Sequence, residues 1–100
     1  MKKLLVNFNK AFESRVRLGI MSVLMVNESV DFNTLKELLN LSDGNLASHV
    51  RALEEVQYIN VNKQFVGRKP NTTYSASKEG KKAFHAHLKE LETLIRGQTK

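Results

Sequence analysis

The apolar positions of the chain recur at helical spacing in two early segments. Between Asn9 and about Met25 they lie on one face of a predicted helix, formed by Phe12, Val16, Ile20, Val23 and Leu24. Residues 27–29 break this helix, and residues 30–32 form a short extended piece. Asn33 can cap a second helix that ends near Asn40. The buried side of this second helix is predicted to consist of Leu35, Leu38 and Leu39.

A third helix is predicted directly after the second one. Ser42 is a good N-cap. Leu46, Val50 and Leu53 recur at i, i+4 and i+7, which turns these three residues inward. The helix ends near Val56. Two short helices joined by a tight connection form a helix-turn-helix candidate.

β-branched and aromatic residues then predict a hairpin, with one strand over residues 58–66, a return strand over residues 72–76 and a turn between them. Ser77 caps a long last helix that ends near Arg96, where Gly97 terminates it. The pattern predicts an α+β fold of the winged helix-turn-helix class. Its order is helix, short strand, helix-turn-helix, β-hairpin wing and long C-terminal helix.

The 100 residues are enough for one domain, residues 1–100, and the net charge of +6 is confined to one part of it. Residues 1–57 hold seven Lys and Arg against seven Asp and Glu, whereas residues 58–100 hold nine against three. A local cationic excess suggests a polyanion as partner. The alternative is a solubilising surface, in which the wet face of the last helix carries Lys78, Lys81, Lys82 and Lys89.

Composition excludes several classes of protein. Cysteine is absent, which excludes disulfides and thiolate metal sites. His85 and His87 lie two positions apart on a helix and cannot share an ion, so we expect no metal and no cofactor. No catalytic grouping or phosphate-binding loop is visible, and we expect no enzyme. The apolar run after Met1 stops at Asn7, too early for a signal peptide or a membrane span, so we expect a cytoplasmic protein.

The outward face of the third helix is the candidate for reading DNA bases. Its first two turns are small and polar, without Lys or Glu, and short side chains let a helix approach the floor of the major groove. The residues predicted to contact base edges are Asn45, Ser48, His49 and Arg51. The alternative is an ordinary solvated face, which usually favours Lys and Glu. Such residues occur here only later, at Glu54 and Glu55.

The hairpin turn carries two adjacent cations. Gly67 permits a positive φ, and Pro70 holds the preceding residue in extended backbone, so the cations project from a stiff loop. We predict that they contact the DNA backbone, with the start of the third helix beside them. The residues assigned to these contacts are Ser42, Asp43, Gly67, Arg68 and Lys69. The alternative is a sheet edge that charge protects from aggregation.

Residues 35–95, "LKELLNLSDGNLASHVRALEEVQYINVNKQFVGRKPNTTYSASKEGKKAFHAHLKELETLI", resemble the short winged-helix transcriptional regulators of the MarR/ArsR type, in the subgroup with a GRKP wing. The resemblance implies that the helix over residues 43–56 enters the major groove and that the wing contacts the flanking backbone. It also implies a dimer on a near-palindromic operator. The family usually has glycine where this chain has Gln57. Either Gln57 adopts the left-handed C-cap conformation, at a cost of about 1 kcal/mol, or the helix ends differently.

The last helix offers a surface for the second subunit. A two-heptad seam at spacings of four, three and four is formed by Phe84, Leu88, Leu91 and Ile95, so residues 78–96 are predicted as the dimerisation helix, with His87 at its seam. The alternative is that this face packs on its own domain. The sequence thus favours a homodimer that binds specific double-stranded DNA and regulates transcription by occluding a promoter. The alternative function is a protein-interaction module that antagonises another regulator without binding DNA.

Overall fold

The computed structural model describes residues 9–98; residues 1–8, which the sequence analysis weighed as a targeting segment, lie outside the described residues. A single 3-10 turn (Lys10–Phe12) comes before four helices, α1 (Arg15–Met25), α2 (Phe32–Leu39), α3 (Asp43–Glu55) and α4 (Lys78–Gln98). The strands are β1 (Val30–Asp31), β2 (Ile59–Val66) and β3 (Lys69–Ala76). The predicted winged helix-turn-helix order is confirmed.

The three strands form one antiparallel sheet in the order β1-β3-β2. β2 and β3 pair along their whole length, from Ile59 opposite Ala76 to Val66 opposite Lys69. The hairpin turn is therefore tighter than predicted, because only Gly67 and Arg68 lie between the strands. Gly67 has the expected positive φ of 66°. Lys69 belongs to β3 and not to the turn, since its cross-strand pairing extends the ladder to the end of the hairpin.

One apolar core joins all the layers. The inward placement of Leu46, Val50 and Leu53 is confirmed, because each is buried. The other buried apolar residues come from the 3-10 turn and from every other helix and strand, namely Phe12, Ile20, Met21, Leu24, Val30, Leu35, Ile59, Tyr74 and Phe84. Burying a large apolar side chain contributes about 1.5–3 kcal/mol, so this cluster is the main source of stability.

The first helix begins later than its periodicity predicts. Ser14 interrupts it and caps α1, with Ser14 Oγ accepting from the backbone N–H of Arg17 at 3.3 Å. Phe12 lies on the separate 3-10 turn, which Asn9 caps. From there the Phe12 ring packs edge-on against Phe84 of α4, at 5.7 Å between centroids. Because of this break, Phe12, which was predicted to lie on the first helix, packs against α4 and holds it on the domain.

Two details of α2 differ from the prediction. Its N-cap is Asp31 and not Asn33, because Asp31 Oδ1 accepts from Thr34 N–H at 2.7 Å. This hydrogen bond lowers the pKa of Asp31. Leu38 is 61% exposed, since the turn of the helix presents Leu35 to the core and leaves Leu38 at the edge. The helix ends, as predicted, at Asn40, in left-handed backbone with φ 53°.

The C-terminal end of α3 is capped by a residue in left-handed backbone, which was the first of the two predicted alternatives. Gln57 has φ 65°. Its N–H donates to Glu54 C=O at 2.9 Å, and Tyr58 N–H donates to Leu53 C=O at 3.0 Å. These two bonds form a Schellman cap, the arrangement that usually requires glycine. α3 therefore ends at Glu55 with Val56 as its C-cap, near the predicted end.

The turn at Gln57 and Tyr58 is also hydrogen-bonded to the start of α4. We call this contact, made of residues 57, 58, 77 and 80, the Ser77 joint. Ser77 Oγ donates to Gln57 C=O at 2.6 Å and accepts from Gly80 N–H at 2.9 Å, while Ser77 N–H donates to Tyr58 C=O at 3.0 Å. Ser77 is thus the predicted N-cap. The predicted end of α4 is wrong, since the helix continues through Gly97 to Gln98.

Gly80 gives the sharpest test of this packing. A Cβ at residue 80 would overlap the backbone carbonyl of Tyr58, which cannot move without breaking the Ser77 joint. We expect Gly80→Ala to lower the free energy of unfolding by about 3 kcal/mol, as for severe overpacking. The matched control is Gly97→Ala on the same helix, where nothing lies within 4 Å of the added Cβ. Urea unfolding should place Gly97→Ala within about 1 kcal/mol of the parent, and equal midpoints for the two variants would contradict the close approach.

Candidate nucleic-acid interface

The start of α3 is a capped helix end on the protein surface. Ser42 Oγ accepts from Asn45 N–H at 3.2 Å, so the hydroxyl satisfies one of the amides of the first turn. Ser42, Asn45 and Gly44 are exposed. Unsatisfied amides and the helix dipole at such an end favour an anion. This geometry is compatible with the predicted backbone contact of Ser42.

Asp43 has a protein partner. Lys36 Nζ of α2 lies 2.8 Å from Asp43 Oδ1, and the ion pair links the two helices of the helix-turn-helix. A carboxylate repels a phosphate, so the predicted contact of Asp43 with the DNA backbone stays a prediction for its main-chain N–H alone. Its position in the first turn of α3 instead suits the positive end of the helix dipole.

Of the residues predicted to read bases, Asn45, Ser48 and Arg51 are exposed on α3, as their spacing requires. A shallow groove runs along this outward face. Its lining residues are Arg17, Gly44, Ala47, Ser48, Arg51, Ala52 and Glu55. The side chains of residues 44, 47, 48 and 52 are short, and they leave room beside the helix for another molecule.

His49 differs from the other three, because it is half-buried and bonded to another helix. Arg17 Nε of α1 donates to His49 Nδ1 at 3.1 Å. A ring nitrogen that accepts carries no proton, so His49 is neutral with its proton on Nε2. Burial lowers the pKa of His49, and the Arg17 cation lowers it further. The polar group of the His49 ring that is left for another molecule is therefore the Nε2–H donor.

Arg17 is the residue that sequence reasoning missed. It counts among the cations of the electrically balanced first half of the chain, and its partner is 32 residues away. Its sequence position indicates only that Arg17 lies on the core side of α1, because Ile20 and Leu24, three and seven residues later, are buried. The structure brings it to the same groove as Ser48 and Arg51.

The hairpin end carries Arg68 in the turn and Lys69 at the first position of β3, both exposed. Within residues 9–98 neither side chain forms an ion pair. Phe65 and Val66, beside them on β2, are also exposed. The end of the wing therefore combines two available cations with an apolar edge.

The predicted seam on α4 is divided between the inside and the outside of the domain. Phe84 is 7% exposed and packs on Phe12, so it belongs to the domain's own core. His87 is likewise buried, with its ring centroid 5.2 Å from that of Phe12. Both are corrected from the seam to the core. Leu88 and Ile95 remain 45% and 63% exposed.

Comparison with known proteins identifies the fold's family. Residues 16–95 match the family model described as a winged helix DNA-binding domain. The chain belongs to this family. This winged helix domain is 37% identical over 82 residues to the uncharacterized protein MJ0432 of Methanocaldococcus jannaschii, an alignment that covers 82% of this chain and 89% of that protein.

Solved structures place the winged helix domain among transcriptional regulators. It is similar to the transcriptional regulator homologue of Pyrococcus horikoshii OT3, with a TM-score of 0.85, 28% identity and coverage of 97% of this chain and 94% of that one. It also shares its fold with AbfR, solved bound to DNA, with a TM-score of 0.65, 17% identity and coverage of 97% and 79%. The resemblance to MarR-type regulators is confirmed. Within residues 9–98, no helix is long and apolar enough to cross a bilayer.

The pairing of His49 with Arg17 has a measurable consequence. Because the folded pKa lies below the ordinary value of about 6.5, the unfolded state binds a proton first as the pH falls, and folding stability decreases below that pH. We expect an NMR titration midpoint for His49 below about 6.5. Arg17→Met should raise the midpoint only part of the way, because burial remains. The His49→Gln spectrum assigns the signal, and a midpoint unmoved by Arg17→Met would contradict the contact.

Proposed function

We propose that this protein binds specific double-stranded DNA as a homodimer and represses transcription by occluding a promoter at a near-palindromic operator. The observation that carries the proposal is the outward face of α3. Its first two turns combine hydrogen-bonding side chains with short ones, while Leu46, Val50 and Leu53 hold the opposite face in the core. A helix with such a face can approach the floor of the major groove.

Each predicted base-reading residue has a chemical task in this proposal. Asn45 can pair with the N6 and N7 edge of adenine, and Arg51 with O6 and N7 of guanine. Ser48 can donate to or accept from either kind of base. His49 can donate through Nε2 to a base acceptor, because its Nδ1 is already bonded to Arg17.

The wing supplies backbone contacts in the same proposal. Arg68 forks onto a phosphate or enters the minor groove, and Lys69 acts as a point charge. Gly67, in positive-φ backbone, keeps the turn tight enough to present both. Ser42 lies at the amide-rich end of α3, where a phosphate oxygen is favoured.

The dimer completes the proposal. One module of this size buries about 600–1,000 Å² on DNA, which is small for tight specific binding. Leu88 and Ile95 leave an apolar strip exposed on α4, with Leu91 half-buried between them. We propose that residues 78–96 pair with the same helix of a second copy. Two-fold symmetry then places the half-sites about one helical turn, roughly 34 Å, apart.

DNA recognition is tested by selecting bound duplexes from a random pool, which should return a sequence with dyad symmetry. In fluorescence anisotropy, the double variant Arg68→Ala/Lys69→Ala should bind every duplex more weakly, and the slope of log affinity against log salt should fall by about 1–2. The charge-matched control is Lys82→Ala/Lys89→Ala, two exposed lysines seven residues apart on the side of α4 away from Leu88 and Ile95, which should retain the parent slope. Absence of binding by the parent protein at low salt would instead support the protein-interaction alternative.

Dimerisation is tested by Leu88→Glu/Ile95→Glu. Both side chains are exposed in the single domain, so the variant should fold, while buried carboxylates in the paired helices should weaken association about 100-fold or more. Sedimentation equilibrium measures this directly. Val66→Glu, at a residue that is 61% exposed at the end of the hairpin, is the control and should leave the dimer intact. A parent protein that sediments as a monomer would refute the dimer.

A further inference from the structure

Arg17 is a cation outside the helix-turn-helix that nevertheless lies at its outer surface. It belongs to α1, and its guanidinium is fixed by the 3.1 Å bond from Nε to His49 Nδ1. Together with Ser48 and Arg51 it lines the groove on the outward face of α3. The surface that carries the predicted base-reading residues therefore includes a guanidinium from another helix.

The geometry of the pair determines which part of Arg17 is available. A guanidinium has five N–H donors in a planar fork, and only the one on Nε is used here. Within residues 9–98, the Nη1 and Nη2 groups form no hydrogen bond or ion pair. These two nitrogens can donate two parallel hydrogen bonds to a pair of adjacent acceptors.

The small side chains of α3 explain how Arg17 can reach the groove. Ala47, Ser48 and Ala52 line it with Gly44, and no atom lies within 4 Å of a Cβ placed on Gly44. Lysine or glutamate at these positions would cover the space beside the guanidinium. Among the described residues that line the groove, Arg51 is the second arginine and Glu55 is the single acid.

We propose that Arg17 contacts DNA directly, next to the stretch of DNA major groove that α3 occupies in the proposed complex. His49 is a positioning residue, which holds the Arg17 guanidinium toward the duplex. This inference rests on the proposed DNA-binding function and extends its site to α1. The ligand is a pair of adjacent acceptors, either O6 and N7 of guanine or two oxygens of one phosphate. A neutral imidazole is needed, because a protonated His49 has no acceptor for Arg17 Nε.

A measurement on the protein without DNA tests the hydrogen bond between Arg17 and His49. Nitrogen-15 NMR of the unliganded protein should show His49 as the Nε2–H tautomer and a slowly exchanging Arg17 Nε–H. Arg17→Met should remove the latter signal. A Nδ1–H tautomer would overturn the proposal whatever the protein binds.

The DNA measurement uses the duplex selected by the parent protein and a random duplex of equal length. Arg17→Met, which keeps the apolar stem, should weaken binding to the selected duplex about ten-fold or more. Arg15→Met removes the same charge from the same helix. Its side chain lies in a different groove, beside Leu39 and Leu41. Equal losses in the two variants would show that net charge accounts for the effect and would overturn the proposal.

The two acceptor sources give different results. A phosphate contact predicts an equal loss on both duplexes and a salt slope lower by about 0.9. A guanine contact predicts a larger loss on the selected duplex and relaxed preference at one position in a repeated selection. Either result supports direct contact.

A double-mutant cycle tests the role of His49. His49→Phe should weaken binding more in the parent than in Arg17→Met, because the part of its effect that acts through Arg17 is then already lost. His49→Gln, which restores an acceptor, should recover part of the loss. Fully additive losses would show that the two residues are not coupled and would overturn the positioning role of His49. Unchanged affinity in Arg17→Met, with a parent protein that binds, would overturn the inference and leave the proposed function standing. A parent protein that does not bind would remove both.

Discussion

The architecture depends on the Ser77 joint, where the end of α3, the base of the hairpin and the start of α4 meet within a few residues. One hydroxyl donates to Gln57 C=O and accepts from Gly80 N–H, and the backbone of Ser77 binds Tyr58. The absence of a side chain at Gly80 lets the two backbones come this close. Because all three elements share this joint, the direction of the wing relative to α3 is fixed by hydrogen bonds and not by loop length.

Around this joint, the DNA-facing chemistry of the proposed complex comes from separate segments. α3 contributes its short polar face, the hairpin contributes Arg68 and Lys69, and α1 contributes Arg17. The first half of the chain is electrically neutral as a whole. Its charges are not evenly distributed, however. Asp43 is paired with Lys36, whereas the Nη groups of Arg17 stay available at the groove on the outward face of α3.

Features encoded by neighbouring residues could be predicted from the sequence. The Ser42 and Ser77 caps, the inward face of α3 and the positive φ at Gly67 each follow from local chemistry or spacing. The errors arose where tertiary contacts decide between equal local options. Phe12 continues the helical period of α1 yet packs on α4, Asp31 and Asn33 are both good caps, and Phe84 has the spacing of a seam. Arg17 could not be placed at all, because only the folded chain brings it to His49.

The Ser42 cap and the left-handed Gln57 set firm limits on α3 at its two ends. Its 13 residues extend about 20 Å, which is the rise of about six base pairs. A given sequence of six base pairs recurs by chance at about one position in 4,000, which is far too often to define one binding site among about 10⁶ competing sites. In the proposed dimer, a symmetric pair of such helices would read about twelve base pairs, and chance recurrence would then drop to about once in 10⁷. The shortness of this helix thus makes a single copy informationally insufficient for a unique genomic target.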